Sequence, residues 1–376
     1  MTFPSYDEIN PFLMPTNNTL PDNIRRGIKN CLASSYEDIE IARGDLENLF
    51  RNNGDYLTPL VGINYTLPLI DAYTIDYLPR NFLIPRIAMR ALSLNRRTVS
   101  FGSEIRVLDC GAGTGAVALG LFDLFSIPLL SNYNLKFYAL DVNINKLERQ
   151  RCILQNAGFL HGENYFQGVQ VDISNIDSFR TFLSSQSEWD LIFFANSLSE
   201  IGVDSYRNIF GILHHYLAEN GSIIIAEPAQ DRGKVIIHKI ADLIVSQGLT
   251  TYYPCNNVTS CAYRTAPYLP HRKCWQWGEY PEIAVHPFNI YGRTVVSSQR
   301  PLEISRFILN KCGATIFDDL KVENPELSWG IVRKRGNQHE VCPQIRRVNL
   351  QIWYKDGTIL GWKAQPPNNV MIEIEI

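Results

Sequence analysis

Val107-Leu-Asp-Cys-Gly-Ala-Gly-Thr-Gly-Ala116 is the stretch that decides how this chain folds. An apolar strand runs into a turn with glycines at 111, 113 and 115, and an apolar helix (Val117-Ala-Leu-Gly-Leu-Phe-Asp-Leu-Phe) follows. Glycines there let the backbone turn sharply and approach a ligand where a β-carbon would clash. Asp109 stands just before the turn. No lysine follows, so the loop is not a Gly-Lys-Ser/Thr phosphate loop. The glycines recur at every second position, which also departs from the Gly-x-Gly-x-x-Gly dinucleotide fingerprint.

Working outward, a second acidic strand end comes at Leu140-Asp141-Val142-Asn143. A carboxylate there can hold the two hydroxyls of a ribose. Val171-Asp172-Ile173, Trp189-Asp-Leu-Ile-Phe-Phe-Ala-Asn196 and Gly221-Ser-Ile-Ile-Ile-Ala-Glu-Pro228 follow in order. The ordered series resembles the motifs of class I S-adenosylmethionine-dependent methyltransferases. The resemblance implies a cofactor site built from Asp109, Gly111, Ala112, Gly113, Gly115, Asp141, Val142, Asp172, Ile173 and Asn196. The glycine loop would take the methionine half, with Asp109 near its amino group or held by loop amides. Asp141 would take the ribose and Asp172 the adenine amino group.

Short strands at 105–109, 137–141, 168–171, 191–195 and 222–226 alternate with helical stretches. That alternation predicts parallel βαβ units in an open, doubly wound α/β sheet of Rossmann type. Right-handed crossovers then gather the carboxyl ends of the strands, so the separate acidic residues share one site. Before the sheet, amphipathic stretches at 22–34 and 38–52, a tyrosine-rich stretch at 63–77 and a helix at 86–93 predict an N-terminal helical cap over residues 1–100. The cofactor domain is expected over 101–335, with a loop at 126–134, a helix at 230–247, a cysteine-rich insertion at 253–282, regular structure at 288–296, a helix near 301–311 and a strand at 328–334. Strands at 347–355 and 358–363 around Asp356-Gly357 read as a hairpin with a two-residue turn. With a last strand at 370–376 they predict a small C-terminal β module over 336–376.

The 376 residues are 45% hydrophobic and 19% charged, with a formal net charge of −3. No global basic field draws in nucleic acid, so an RNA contact needs a local patch, such as Arg333-Lys-Arg335 with Arg346-Arg347, or Arg96-Arg97. No run of eighteen apolar residues appears, so no membrane span is expected. The first residues lack the charged and apolar regions of a secretory leader. Eight cysteines in such a chain argue against a disulfide framework, and a cytoplasmic protein is expected.

Cys255, Cys261 and Cys274 crowd an aromatic-rich irregular stretch. Thiolates at this spacing can converge on a metal, while buried cysteines can equally pack as small apolar side chains. Zinc and iron–sulfur centres take four ligands, and Cys342 or His271 is the fourth that the sequence offers. Asn196-Ser-Leu-Ser-Glu-Ile201, Ile225-Ala-Glu-Pro-Ala-Gln-Asp-Arg-Gly233, Tyr253-Pro-Cys255, Cys261 and Lys273-Cys274-Trp275 are similar in order and spacing to a second, narrower family. That family is the mitoribosomal small-subunit assembly methyltransferase-like proteins and their bacterial relatives. The resemblance spans roughly residues 65 to 360. It implies a 4Fe–4S cluster, with zinc the lesser alternative, on Cys255, Cys261 and Cys274, and an association with small-subunit ribosomal RNA. The family's fourth cysteine falls where this chain has Trp353-Tyr354-Lys-Asp-Gly357, so Cys342 would have to substitute.

Asn196, where the resemblance places acceptor-facing residues, and Glu200, an acid–base candidate that could instead cap a helix or pair with an arginine, are the candidate catalytic residues. The surroundings of Asn196 lack the Asn/Asp-Pro-Pro-Tyr/Phe motif used on base amines. His214-His215 read as a helix-surface pair, and Tyr65, Tyr73 and Tyr77 either close the pocket or pack in the core. Methyl transfer to ribosomal RNA or a ribosome-assembly substrate is the expected function. A small-molecule or peptide acceptor, another alkyl transfer from the same cofactor, and a non-catalytic assembly factor are the alternatives.

Overall fold

The computed structural model describes residues 20–52, 64–93, 101–228, 250–253, 276–278, 302–310, 331–335, 338–342, 349–355, 358–365 and 372–375, with Pro4 and Ile240. Strands β1 (Glu104–Cys110), β2 (Asn134–Asp141), β3 (Tyr165–Gln170), β4 (Trp189–Ala195) and β5 (Leu217–Pro228) pair in parallel, in the order β3-β2-β1-β4-β5. Their apolar runs follow from burial on both faces. Along β4, Leu191 and Phe193 enter one core and Ile192 and Phe194 the other. The strand order reverses between β1 and β4. In an open α/β sheet that switch point opens a crevice at the carboxyl ends of the strands.

Beyond β5 the sheet turns antiparallel. Strand β8 (Leu302–Asn310) pairs antiparallel with β5, and β6 (Thr250–Tyr253) pairs antiparallel with the far edge of β8. Strand β7 (Gln276–Gly278) pairs with that same β8 farther along, Gln276 opposite Ile304 where Tyr253 is opposite Ile308. The expected helix near 301–311 is therefore corrected to a strand. Leu302, Ile304, Arg306 and Ile308 alternate with Glu303, Ser305, Phe307 and Leu309, and period-two pairing on β5 overrides the helix-start signal of Pro301. The predicted helix at 230–247 and the structure at 288–296 lie outside the described residues, Ile240 apart, which is helical.

The expected C-terminal hairpin is present. Strands β11 (Asn349–Lys355) and β12 (Thr358–Gln365) are antiparallel with Lys355 opposite Thr358, and β13 (Ile372–Glu375) adds to β12. Ile331–Arg335 forms β9, paired with β10 (Gln338–Cys342), a strand that the sequence did not suggest.

The N-terminal helices α1 (Asp22–Cys31), α2 (Tyr36–Asn52), α3 (Leu67–Asp76), α4 (Leu78–Asn81) and α5 (Leu83–Ser93) precede the sheet. Helices α6 (Ala116–Phe125) and α7 (Ile144–Asn156) follow β1 and β2, and their apolar faces share one core with α1 to α5. Helices α8 (Ile176–Ser184) and α9 (Val203–Tyr216) cover the opposite face. Polar ties hold the cap to α7. Asp71 on α3 is fully buried, pairs with Arg149 on α7, and accepts from the amides of Ala33 and Ser34 at 2.9 Å each. Asn23 donates to the Ala157 carbonyl at 3.0 Å. Gly27 lets α1 approach, because a β-carbon there would stand 2.9 Å from the Ile153 carbonyl oxygen. Cys31 and Cys152 form a disulfide between α1 and α7, 121 residues apart in sequence. The composition argued against a disulfide framework, and this single bond is an addition to that reading. No helix among the described residues is long and apolar enough to cross a membrane.

Candidate functional site

The glycine loop leaves β1 at the switch point. The amides of Gly111 and Ala112 both donate to the Leu140 carbonyl at 2.8 Å, which ties the loop to the end of β2. Gly111 has φ of 76°, and a β-carbon there would lie 2.5 Å from the Ser197 Cβ. Gly115 caps α6 at φ of 99°. Backbone and neighbours both exclude a larger residue at these positions. The loop thus leaves a cradle of bare backbone between β1 and β4.

Asp141 closes β2 beside that cradle. Its carboxylate accepts from the Gly113 amide and from the Asn143 amide, each at 2.9 Å. Asn143 then caps α7, its side chain accepting from the amides of Asn145 and Lys146. Val142 beside it is 57% exposed, an apolar face at the rim. Past β3, the carboxylate of Asp172 accepts from the Ser174 amide at 2.9 Å and its hydroxyl at 2.6 Å.

Asp109 differs from both. It is fully buried, and neither carboxylate oxygen meets a hydrogen-bond donor among the described residues. Burial, with the Asp141 carboxylate nearby, pushes its acid well above the usual range. The expectation that loop amides hold it is therefore corrected: the amides of Gly111 and Ala112 are engaged by Leu140, and that of Gly113 by Asp141.

Across the switch point, Asn196 follows β4 with φ of 57°, a left-handed conformation that Asn tolerates. Its amide donates to the Ala226 carbonyl at 2.7 Å. Glu227, fully buried at the end of β5, accepts from the Leu198 amide at 2.9 Å and so fixes the turn that carries Glu200.

A cavity of about 310 Å³ opens over these strand ends. Gly111, Gly113, Asp141, Val142, Asp172, Ile173, Asn196 and Glu200 line it, so it gathers most of the residues singled out from the sequence. Asp109, Ala112 and Gly115 do not line it. The cap supplies the opposite wall. Tyr73 on α3 places its ring edge 3.6 Å from where a Gly113 β-carbon would be, stacks on Tyr77 at 5.0 Å and meets Tyr65 edge-on at 6.4 Å. The pocket also takes in Asn143, Lys146, Ser174 and Ser197, which sequence reasoning missed. Burial, then the charge of Glu200, raises both the Tyr65 and Tyr73 hydroxyls, so both stay protonated. His215 is exposed on α9, consistent with a surface residue.

Cys255, Cys261, Cys274 and His271 lie outside the described residues, and Cys342 ends β10 without a described side chain. Among the described residues no cluster of His, Cys, Asp and Glu could hold a metal ion.

Residues 101–278 match the family model described as Methyltransferase domain. No curated protein matches the chain. Among solved structures, the chain is similar to an S-adenosylmethionine-dependent methyltransferase from Clostridium acetobutylicum at 17% identity and a TM-score of 0.29, covering 50% of this chain and 56% of that one. It is similar to a TehB-like S-adenosylmethionine-dependent methyltransferase from Corynebacterium glutamicum at 14% identity and a TM-score of 0.34, covering 74% and 100%. An rRNA methylase from Streptococcus thermophilus matches at 12% identity and a TM-score of 0.33, covering 60% and 95%. The chain thus spans little more than half the length of the first of these. At such scores the fold rests on the strand order itself. The strand order and the glycine loop at the switch point give residues 101–228 a Rossmann-like sheet, and residues 101–278 match the methyltransferase-domain model.

Proposed function

We propose that the protein transfers a methyl group from S-adenosylmethionine, bound across the switch point, to an acceptor admitted between the strand ends and the tyrosine wall. One observation carries this reading: Asp109 is a fully buried carboxylate without a donor, beside a backbone cradle that β-carbons would fill. A buried carboxylate without a donor is costly. The ammonium of the cofactor's methionine half would satisfy it. Asp141 would hold the ribose hydroxyls, Asp172 the adenine amino group, and the exposed Val142 would pack against the adenine ring.

When bound, the cofactor supplies an electrophilic methyl on a sulfonium. The protein's contribution is positioning and exclusion of water. Asn196, fixed by its bond to Ala226, faces the acceptor side, and Glu200 is the group poised to accept a proton from an acceptor oxygen or nitrogen. The ring faces of Tyr65 and Tyr73 close the pocket and favour a cation beneath them.

The acceptor that the family resemblance favours is small-subunit ribosomal RNA. The same resemblance favours a 4Fe–4S cluster on Cys255, Cys261 and Cys274, with Cys342 as fourth ligand. In its support, β6 and β7 pair with one edge of β8, and Cys255 and Cys274 each stand two residues in sequence from those strands. The net charge of −3 favours a second reading, a small-molecule or peptide acceptor.

The experiment is incubation with methyl-labelled S-adenosylmethionine and purified small ribosomal subunits, with product analysis. Label in the RNA together with S-adenosylhomocysteine supports the first reading. Methylthioadenosine as product would show that another arm of the cofactor is transferred. Failure to bind S-adenosylhomocysteine at all would overturn the cofactor assignment. Iron and sulfide analysis after anaerobic purification tests the cluster, and a metal-free, stable protein counts against it.

A further inference from the structure

We propose that the corner of the pocket between Lys146 and Tyr65 is a receptor for an oxyanion, a carboxylate or phosphate borne by a ligand of the methyltransferase site. The proposal rests on the reading of the pocket given above.

Lys146 lies in the first turn of α7 and is only 4% exposed. Its ammonium lies 3.4 Å from the centre of the Tyr65 ring and 5.5 Å from that of Tyr73. Among the described residues it makes no hydrogen bond and no ion pair. Ring faces hold such a cation only in part, and a buried ammonium without an anion is costly. The first turn of a helix, where the macrodipole is positive, is also the wrong end for a lysine. Asp141 and Glu200 line the same pocket but form no ion pair with Lys146, so the ammonium is left to meet an incoming negative charge.

Hydrogen-bond supply in the pocket points the same way. The buried hydroxyls of Tyr65 and Ser197 have no partner among the described residues. Of the strand-end carboxylates that line the pocket, Asp141 is engaged through two amides and Asp172 through Ser174. The Tyr65 hydroxyl and the Lys146 ammonium thus stand unused in one corner, while Asp141 and Asp172 already have donors. A ligand group that completes this pocket brings acceptor oxygens with negative charge, and it brings them to the cap side.

Two sources share that chemistry, the cofactor's own α-carboxylate and an acidic group of the acceptor. Calorimetric titration of S-adenosylhomocysteine and 5′-methylthioadenosine, which lacks the amino-acid tail, separates them in wild type, Lys146→Met and Lys146→Arg. Loss of one charge-assisted hydrogen bond corresponds to about a tenfold to hundredfold change. If the cofactor is the source, Lys146→Met weakens S-adenosylhomocysteine by that factor, leaves methylthioadenosine within about twofold, and Lys146→Arg recovers part of the loss. If the acceptor is the source, S-adenosylhomocysteine binds Lys146→Met undiminished. Inorganic phosphate then raises the melting temperature of the S-adenosylhomocysteine-loaded wild type above that in chloride of equal ionic strength, and does not raise that of Lys146→Met. Should Lys146→Met misfold, Tyr65→Phe carries the test, with an expected loss of roughly threefold on whichever arm responds. Variants indistinguishable from wild type on every arm overturn the proposal. A wild type that binds neither nucleoside overturns the cofactor reading instead, and phosphate stabilisation of the unliganded protein then judges the Lys146 corner by itself.

Discussion

The two walls of the pocket are built on opposite principles. The strand-end wall is backbone and carboxylate: bare glycine amides tied to Leu140, and Asp141 and Asp172 engaged by their own loops. Its pocket-lining Asp141 and Asp172 are held before any ligand arrives, while the fully buried Asp109 still lacks a donor among the described residues. The cap wall is side chain: the rings of Tyr65 and Tyr73 over Lys146, with the Tyr65 hydroxyl and the Lys146 ammonium left unused. The walls meet on α7, which carries Lys146 towards the pocket and Arg149 and Cys152 into the cap.

If α7 couples the walls, the largest effect comes from breaking its buried tie. Asp71→Ala leaves the Arg149 guanidinium and the amides of Ala33 and Ser34 without their carboxylate. We expect a loss of about 3–5 kcal/mol in urea unfolding, with weaker S-adenosylhomocysteine binding. Normal binding in the destabilised variant would show that the walls are independent. Next, replacing Cys31 and Cys152 together by serine removes a cross-link between segments 121 residues apart and is expected to cost about 2–4 kcal/mol. Mass mapping without reductant should show the bond in the wild type.

Gly111→Ala tests the strand-end wall alone. Its new β-carbon meets Ser197 in a left-handed backbone, and we expect about 1–3 kcal/mol off S-adenosylhomocysteine binding by calorimetry. Comparable binding would mean that the cradle is not used.

The smallest effect is a pH dependence at Asp109. Burial raises its acid in the folded state, so the unfolded chain loses that proton first. Its stabilising balance is full below the unfolded value, near pH ~4, and is lost as pH rises through the folded one. Asp109→Asn should therefore gain stability over the wild type as pH rises from 5 to 8, while binding S-adenosylhomocysteine less well. An unchanged stability difference across that range would mean that Asp109 has a donor in solution.

The same contrast explains what could be read in the sequence. The strand-end wall was legible because backbone geometry leaves a residue signature: glycines where φ is positive, apolar runs where strands are buried on both faces, acids at their ends. The cap wall was not. Tyr65, Tyr73 and Tyr77 fit a core as well as a pocket, and only the fold brings Tyr73 over Gly113. Lys146 and Arg149 sit in Ile144-Asn-Lys-Leu-Glu-Arg-Gln-Arg, a stretch whose composition reads as a solvated face. Yet they are buried with Leu147 and Gln150, because the cap covers that side of α7. A charged helix packed by a second layer gives no local signal of burial. Strand β8 was missed for a related reason: its alternation is short, and its pairing partner lies about eighty residues upstream.

One feature of the sheet edge bears on how such a chain is assembled from parts. Residues 250–253 and 276–278 line up along one strand, with only Ser305, Arg306 and Phe307 between the paired positions Ile308 and Ile304. The cysteine-rich stretch thus enters and leaves the domain at a single point on its rim, as a cassette spliced into an edge strand. Change within such a stretch leaves the register of β1 to β5 untouched. An engineered chain in which a three-residue link replaces 254–275 should accordingly retain the nucleotide site and lose only what the cassette adds.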